Sequence, residues 1–310
     1  MTESSPAPAA TAERTGKASP LDNLLSVLDL REVEGWGPRG EEDLWRGSSV
    51  PALGRRVYGG QVLAQAIVAC GRTVAPARAP HSMHAYFLRE GALDSPIDFA
   101  VERLRDGRSF SARRTHALQG GKPILSLTTS FQEDQPGYDY QRSAPADVPA
   151  PEGVQSAYEL LAGIDHPAAR WWSVDSSFEL AHVGGSVFVR PDPSPSDRQM
   201  VWVRARHEIA SDEALLHRAL LAYACDQVML EPVLRSAGKS WLDVGAGLAM
   251  ASLDHAMWWH RNARVDDWLL FVQEAPTAQG GRALGFARVY TREGALVASI
   301  AQEGMVRLPA

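Results

Sequence analysis

Residues 61–70, QVLAQAIVAC, are apolar on nearly every side, and Gly71 follows them. A helix with so little polar surface must be surrounded by protein, and a glycine supplies the left-handed residue that ends it. A second run of the same character, ALLHRALLAYACDQVML (214–230), follows Ser211-Asp212-Glu213, which offers a cap and acids to its first turn. Both runs are expected to be buried helices. After each comes a strand in which a histidine precedes large apolar residues, His84-Ala85-Tyr86-Phe87-Leu88-Arg89 and His255-Ala256-Met257-Trp258-Trp259-His260-Arg261. Each then closes with a long hairpin. One covers Arg108 to Gln132 and turns at Gln119-Gly120-Gly121-Lys122; the other covers Arg282 to Arg307 and turns at Arg292-Glu293-Gly294. From His84 to His255 is 171 residues, from Arg108 to Arg282 is 174, and from Gly121 to Gly294 is 173. So steady an offset means that one unit is written twice.

A central apolar helix with several long antiparallel strands implies an α+β layer architecture, the sheet curling round the helix in the hot-dog manner. Two copies in one chain are expected to pair as a pseudo-dimer, because a lone sheet edge is a liability that pairing removes. The expected fold is a tandem double hot-dog. Residues 1–20, rich in Ala, Ser, Thr and Pro and lacking the apolar core of a signal peptide, read as a disordered tail. The first unit is placed at 21–135 and the second at 166–310. The linker, 136–165, is punctuated by Pro136, Pro145, Pro149 and Pro151.

Net charge is −6, from 31 Lys and Arg against 37 Asp and Glu, so there is no broad positive field to attract nucleic acid or an anionic bilayer. No apolar run approaches the ~20 residues that cross a membrane, and no membrane insertion is expected. Two cysteines, Cys70 and Cys225, make neither a disulfide framework nor a zinc pattern; each reads as a small buried hydrophobe in a chain of the reducing cytoplasm. Gly245-Ala246-Gly247 lacks the third glycine of a dinucleotide fingerprint, and no G-x-S-x-G elbow offers a serine nucleophile. Asp254-His255 invites a dyad reading, but neighbours on a strand point to opposite faces and cannot hold one water together.

Six strings run in order along residues 25 to 308: GRRVYGGQVLAQAIVA (54–69), HSMHAYFLR (81–89), DGRSFSARR (106–114), GKPILSLTTSFQ (121–132), LDHAMWWHR (253–261) and ASIAQEGMVR (298–307). Together they resemble the acyl-CoA thioesterase II, or TesB-type, family of double hot-dog enzymes. The resemblance implies hydrolysis of fatty acyl-CoA to free acid and CoA, with acyl-CoA as the small-molecule partner, no cofactor and no metal. It implies a water held by Asp226, Ser252 and Gln302, where better-known members carry Thr in place of Ser252. Ser keeps the hydroxyl but lacks the methyl that restricts its rotamer. An oxyanion site is implied at the backbone N–H groups of Gly59, Gly60 and Gln61, with His255 packed behind the water site as support. Burial in an apolar helix turn is expected to raise the Asp226 pKa and strengthen it as a base. Two alternatives stand beside this reading: a hot-dog enoyl-CoA hydratase or dehydratase, and a non-catalytic acyl-CoA binding module. A homo-oligomer of such chains is the expected assembly.

Overall fold

The computed structural model describes residues 18–307, apart from 36, 38, 39 and 53. The first half contains α1 (Pro20–Leu28), β1 (Arg31–Glu32), β2 (Asp43–Gly47), α2 (Gly59–Gly71), β3 (Arg78–Phe87), β4 (Ile97–Asp106), β5 (Phe110–Gln119) and β6 (Lys122–Glu133). In the second half α3 (Ala157–Leu161) and α4 (Pro167–Arg170) precede β7 (Phe178–Val183), β8 (Arg198–Ala205), α5 (Ala214–Cys225) and α6 (Glu231–Ser236). The chain then runs through β9 (Ala249–Ser252), β10 (Asp254–Trp259), β11 (Leu269–Gln279), β12 (Arg282–Thr291) and β13 (Leu296–Arg307).

Helix α2 is wrapped by protein as its composition demands, and every residue from Gly60 to Gly71 is buried. Leu63 and Ile67 are wholly hidden, each contributing on the order of 1.5–3 kcal/mol of apolar burial. Its neighbour is α5, buried from His217 to Cys225. The two run antiparallel and nearly touch at both ends. A methyl group on Gly71 would meet the Leu215 side chain at 2.5 Å, and one on Gly60 would meet the Tyr223 carbonyl oxygen at 2.6 Å. Tyr58, which caps α2, donates from its hydroxyl to that same carbonyl at 2.7 Å.

Around this pair the strands form one continuous antiparallel sheet in the order β1-β2-β4-β5-β6-β3-β10-β13-β12-β11-β8-β7, with β9 on β13. The halves join where β3 pairs with β10, with Met83 opposite Met257. That join removes one edge from each half-sheet. Both expected hairpins are present, β5–β6 and β12–β13. Segment 139–152 lies across the outer face of the second half. Trp202 Nε1 donates to Pro149 O at 2.9 Å, Gln141 Nε2 to Gly294 O at 2.8 Å, and Arg292 grips Glu152.

Four sequence expectations are corrected. Residues 1–17 of the expected tail lie outside the described residues, but its end at residue 20 does not hold, because Ser19 and Pro20 are the cap and first turn of α1. The second buried helix ends at Cys225 rather than Leu230; residues 226–230 form a turn, and a separate helix begins at Glu231 with Pro232 in its first turn, where its missing N–H costs no helical bond. Ser211 is not its N-cap; Glu213 holds that position, and Ser211 accepts the Glu213 N–H. Finally, His84 is not the counterpart of His255. Met83 and Ala85 of β3 and His255 and Met257 of β10 face inward, so residues that correspond in the two strands differ by an even number and not by 171. His84 is exposed on the outer face against Trp258, whereas His255 is buried.

Cut between residues 135 and 136, the chain should give two pieces that each self-associate or aggregate when made alone, while mixing them should recover a soluble complex. Size-exclusion chromatography with light scattering checks this; a second half that is a soluble monomer would contradict it.

Candidate active site

Asp226 stands at the C-terminal cap of α5, where the chain leaves the helix. Ser252 ends β9, and Gln302 lies in the middle of β13, wholly buried. The three converge. Ser252 Oγ donates to Asp226 Oδ1 at 3.0 Å, and Gln302 Nε2 donates both to Asp226 Oδ1 at 2.9 Å and to Ser252 Oγ at 2.7 Å. Two donors therefore hold one carboxylate oxygen. The other, Oδ2, faces the start of α2 from across the join: a methyl group on Gly59 would lie 2.8 Å from it and 2.9 Å from the Phe87 ring.

Behind this cluster, His255 Nδ1 lies 2.7 Å from Gln302 Oε1. An amide oxygen can only accept, so the proton sits on Nδ1, and its bond fixes which way the Gln302 amide faces. Burial holds the His255 pKa below its usual 6.5, against the opposing pull of Asp226 and the bond to Gln302, which keeps the ring neutral. A lowered folded pKa means that this group favours the fold above about pH 6.5 and costs stability as pH falls below that. Asp254 points elsewhere and accepts the Glu303 N–H at 2.8 Å.

At the start of α2 the N–H groups of Gln61 and Val62 are both directed to Tyr58 O. Those of Gly59 and Gly60 are the donors the helix itself leaves free. Gln61 is thus not brought into the site. Its side-chain oxygen accepts the Val50 N–H at 3.0 Å and its amide donates to Gln65 at 3.0 Å, on the side away from Asp226. The helix N-terminus adds partial positive charge at the two glycines. Burial and the nearby Asp226 push the Cys225 thiol well above its usual range, so it stays protonated and is no nucleophile.

Asp226, Ser252, Tyr58 and Gly59 line a cavity of about 790 Å³. The first half supplies Val62, Phe87 and Ile124, and the second Trp171, Trp172, Trp241, Val244 and Met250. Arg56, Arg89 and Glu90 are exposed at its rim, where Arg56 and Glu90 pair at 2.8 Å in a bridge worth ~0–1 kcal/mol. Sequence reasoning missed the aromatic wall. It also missed Gln227, which borders the cavity beside Asp226 and whose amide is buried with no partner among the described residues. Trp171-Trp172 was a visible signal; Trp241 and Gln227 had none beyond being polar or aromatic in apolar surroundings.

One antiparallel sheet wrapped round a pair of central helices defines a double hot-dog protein, and within it a carboxylate held by two donors faces a helix N-terminus. The sequence matches the family model described as acyl-CoA thioesterase N-terminal domain over residues 47–132 and that described as acyl-CoA thioesterase C-terminal domain over residues 145–306. It is 35% identical to acyl-coenzyme A thioesterase 8 of Homo sapiens, with 92% of this chain and 89% of that protein covered. Acyl-CoA thioesterase 2 of Haemophilus influenzae is 31% identical over 93% of this chain and 98% of its own. Among solved structures, acyl-CoA thioesterase II TesB2 from Mycobacterium marinum superposes with a TM-score of 0.73 at 36% identity, covering 93% of this chain and 99% of that one. The chain belongs to the acyl-CoA thioesterase family.

The two glycines should respond differently to a single methyl. Gly59→Ala places it against the Asp226 carboxylate and the Phe87 ring, so turnover should fall ~10²-fold or more with little change in Tm. Gly60→Ala drives it into the Tyr223 backbone and should lower Tm by several degrees. Equal effects of the two on Tm would contradict this reading.

Proposed function

We propose that the protein hydrolyses fatty acyl-CoA thioesters to free acid and CoA, with Asp226 as general base for a water. The observation that carries this is Asp226 Oδ2 facing the first turn of α2. A water in the cavity beside Oδ2 is next to a base on one side and next to a thioester carbon on the other, once the carbonyl oxygen is held by the Gly59 and Gly60 N–H groups. Asp226 takes a proton from the water as its oxygen attacks the carbon. The oxyanion then draws on N–H donors already oriented by the helix, which need no reorganisation during the reaction. Collapse breaks the carbon–sulfur bond, and the proton on Asp226 passes to the departing thiolate.

Ser252 and Gln302 act on this reading as donors that hold Asp226 and the water in one geometry, and His255 sets the Gln302 amide. A hydratase needs a proton donor and acceptor across two adjacent carbons, and here the polar groups gather at one point instead. The proposed units are 19–135, α1 included from its cap, and 166–310, joined by 136–165. Buried free thiols at Cys70 and Cys225 support a cytoplasmic site of action. Self-association is supported by Tyr86 and Trp258, exposed on the neighbouring strands β3 and β10, and by Phe286, exposed on β12 two strands away.

Asp226→Asn should lower kcat by ~10²–10⁴ with the fold intact. Ser252→Thr should be as fast or faster and Ser252→Ala slower, followed by thiol release from acyl-CoA. An acyl group trapped on Ser252 in a quenched reaction, or full activity in Asp226→Asn, would overturn the assignment.

A further inference from the structure

Glu231 is the most deeply buried carboxylate in the second half, with no exposed surface. An ionised group there persists only if its oxygens are fully engaged. Oε2 accepts from Gln199 Nε2 at 2.6 Å and lies 2.7 Å from His182 Nε2. Oε1 accepts one bond, at 2.8 Å, from the indole Nε1 of Trp241. Burial resists ionisation of Glu231, yet His182 and these donors hold its carboxyl below the usual range. Arg235 Nε donates to Gln199 Oε1 at 2.6 Å and locks the network from behind.

Trp241 is the member that leaves this network for the active-site cavity. Its ring forms part of the cavity wall beside that of Trp172, at a centroid separation of 5.8 Å and an interplanar angle of 42°. The bond to the buried Glu231 carboxylate fixes which way the Trp241 indole edge points, and Trp172 packs beside its ring. Val244 and Met250 continue the same apolar surface, while the charged residues Arg56, Arg89 and Glu90 stand at the exposed rim. CoA phosphates need water and cations, so an acyl chain is the part of the substrate suited to the aromatic side.

We infer that Trp241, held by Glu231, is a specificity-determining residue that limits how long an acyl chain the cavity accepts. This rests on the acyl-CoA hydrolase reading above. Glu231 touches no substrate and is a positioning residue; Trp241 touches the chain and is not part of the chemistry. Through Gln273, whose Nε2 donates to Val228 O at 3.0 Å, the same network also steadies the turn that follows Asp226, so loss of Glu231 alone would mix two effects. Trp241 separates them.

The test compares kcat/KM for butyryl-, octanoyl- and palmitoyl-CoA in the full-length protein. Trp241→Ala should move the palmitoyl-to-octanoyl ratio ~10-fold or more toward the longer chain, the scale on which a few methylenes in an apolar pocket count. Butyryl-CoA, the shortest of the three, should be the least affected. Glu231→Gln, which keeps an oxygen for the indole N–H, should retain the wild-type ratio, and Glu231→Leu should shift it in the Trp241→Ala direction. A ratio unmoved in Trp241→Ala, or an equal loss on all three substrates, overturns the inference while leaving the hydrolase reading intact. Failure of the wild-type protein to release thiol from any of the three overturns both.

Discussion

Everything in the site depends on how closely α2 and α5 approach where the first half meets the second. The start of α2 and the end of α5 approach too closely for side chains at the two glycines: a Gly60 methyl would be 2.6 Å from the Tyr223 carbonyl oxygen and a Gly59 methyl 2.8 Å from the Asp226 carboxylate. Antiparallel packing sets the positive end of one helix beside the last residue of the other. A carboxylate placed there faces free N–H donors, and both border the cavity. The β3–β10 pairing holds this arrangement, because it fixes the two half-sheets, and therefore the two helices, in one register.

The chemistry proposed for the site follows from a division of labour within one carboxylate. Ser252 and Gln302 engage Oδ1, which leaves Oδ2 for proton transfer. Gln302 can do this only with its amide facing one way, and neutral His255 enforces that orientation from the buried side. An imidazolium would hold the Gln302 oxygen as well, but burial disfavours the charge. Removing a methyl at position 252, relative to the threonine of better-known relatives in the resemblance, leaves all these bonds in place.

Much of the architecture was legible because it is written in periodicity and turn chemistry. QVLAQAIVAC could be nothing but an enclosed helix, and the Gly-Gly and Glu-Gly turns bound the hairpins that form. The convergence of Asp226, Ser252 and Gln302, far apart in the chain, was legible through family resemblance alone. What failed did so for physical reasons. His84 and His255 were matched by neighbouring aromatic residues, at an offset of 171; an odd shift on a strand moves a side chain to the other face, and the two lie on opposite faces. Gln61 belongs to the right turn, but whether its N–H closes that turn or faces outward is a matter of backbone geometry. Trp241 lies in a stretch without period, and its role depends on a buried anion ten residues earlier that sequence alone gives no reason to connect to it.

In the proposed mechanism the two halves supply opposite sides of one reaction centre. A crystal structure with a non-hydrolysable ketone analogue of acyl-CoA, its sulfur replaced by methylene, tests this directly. The ketone oxygen should lie ~2.7–3.1 Å from the Gly59 and Gly60 nitrogens, with the carbonyl carbon turned toward Asp226 Oδ2. A ketone held only by groups of the second half, with the start of α2 out of reach, would contradict the account.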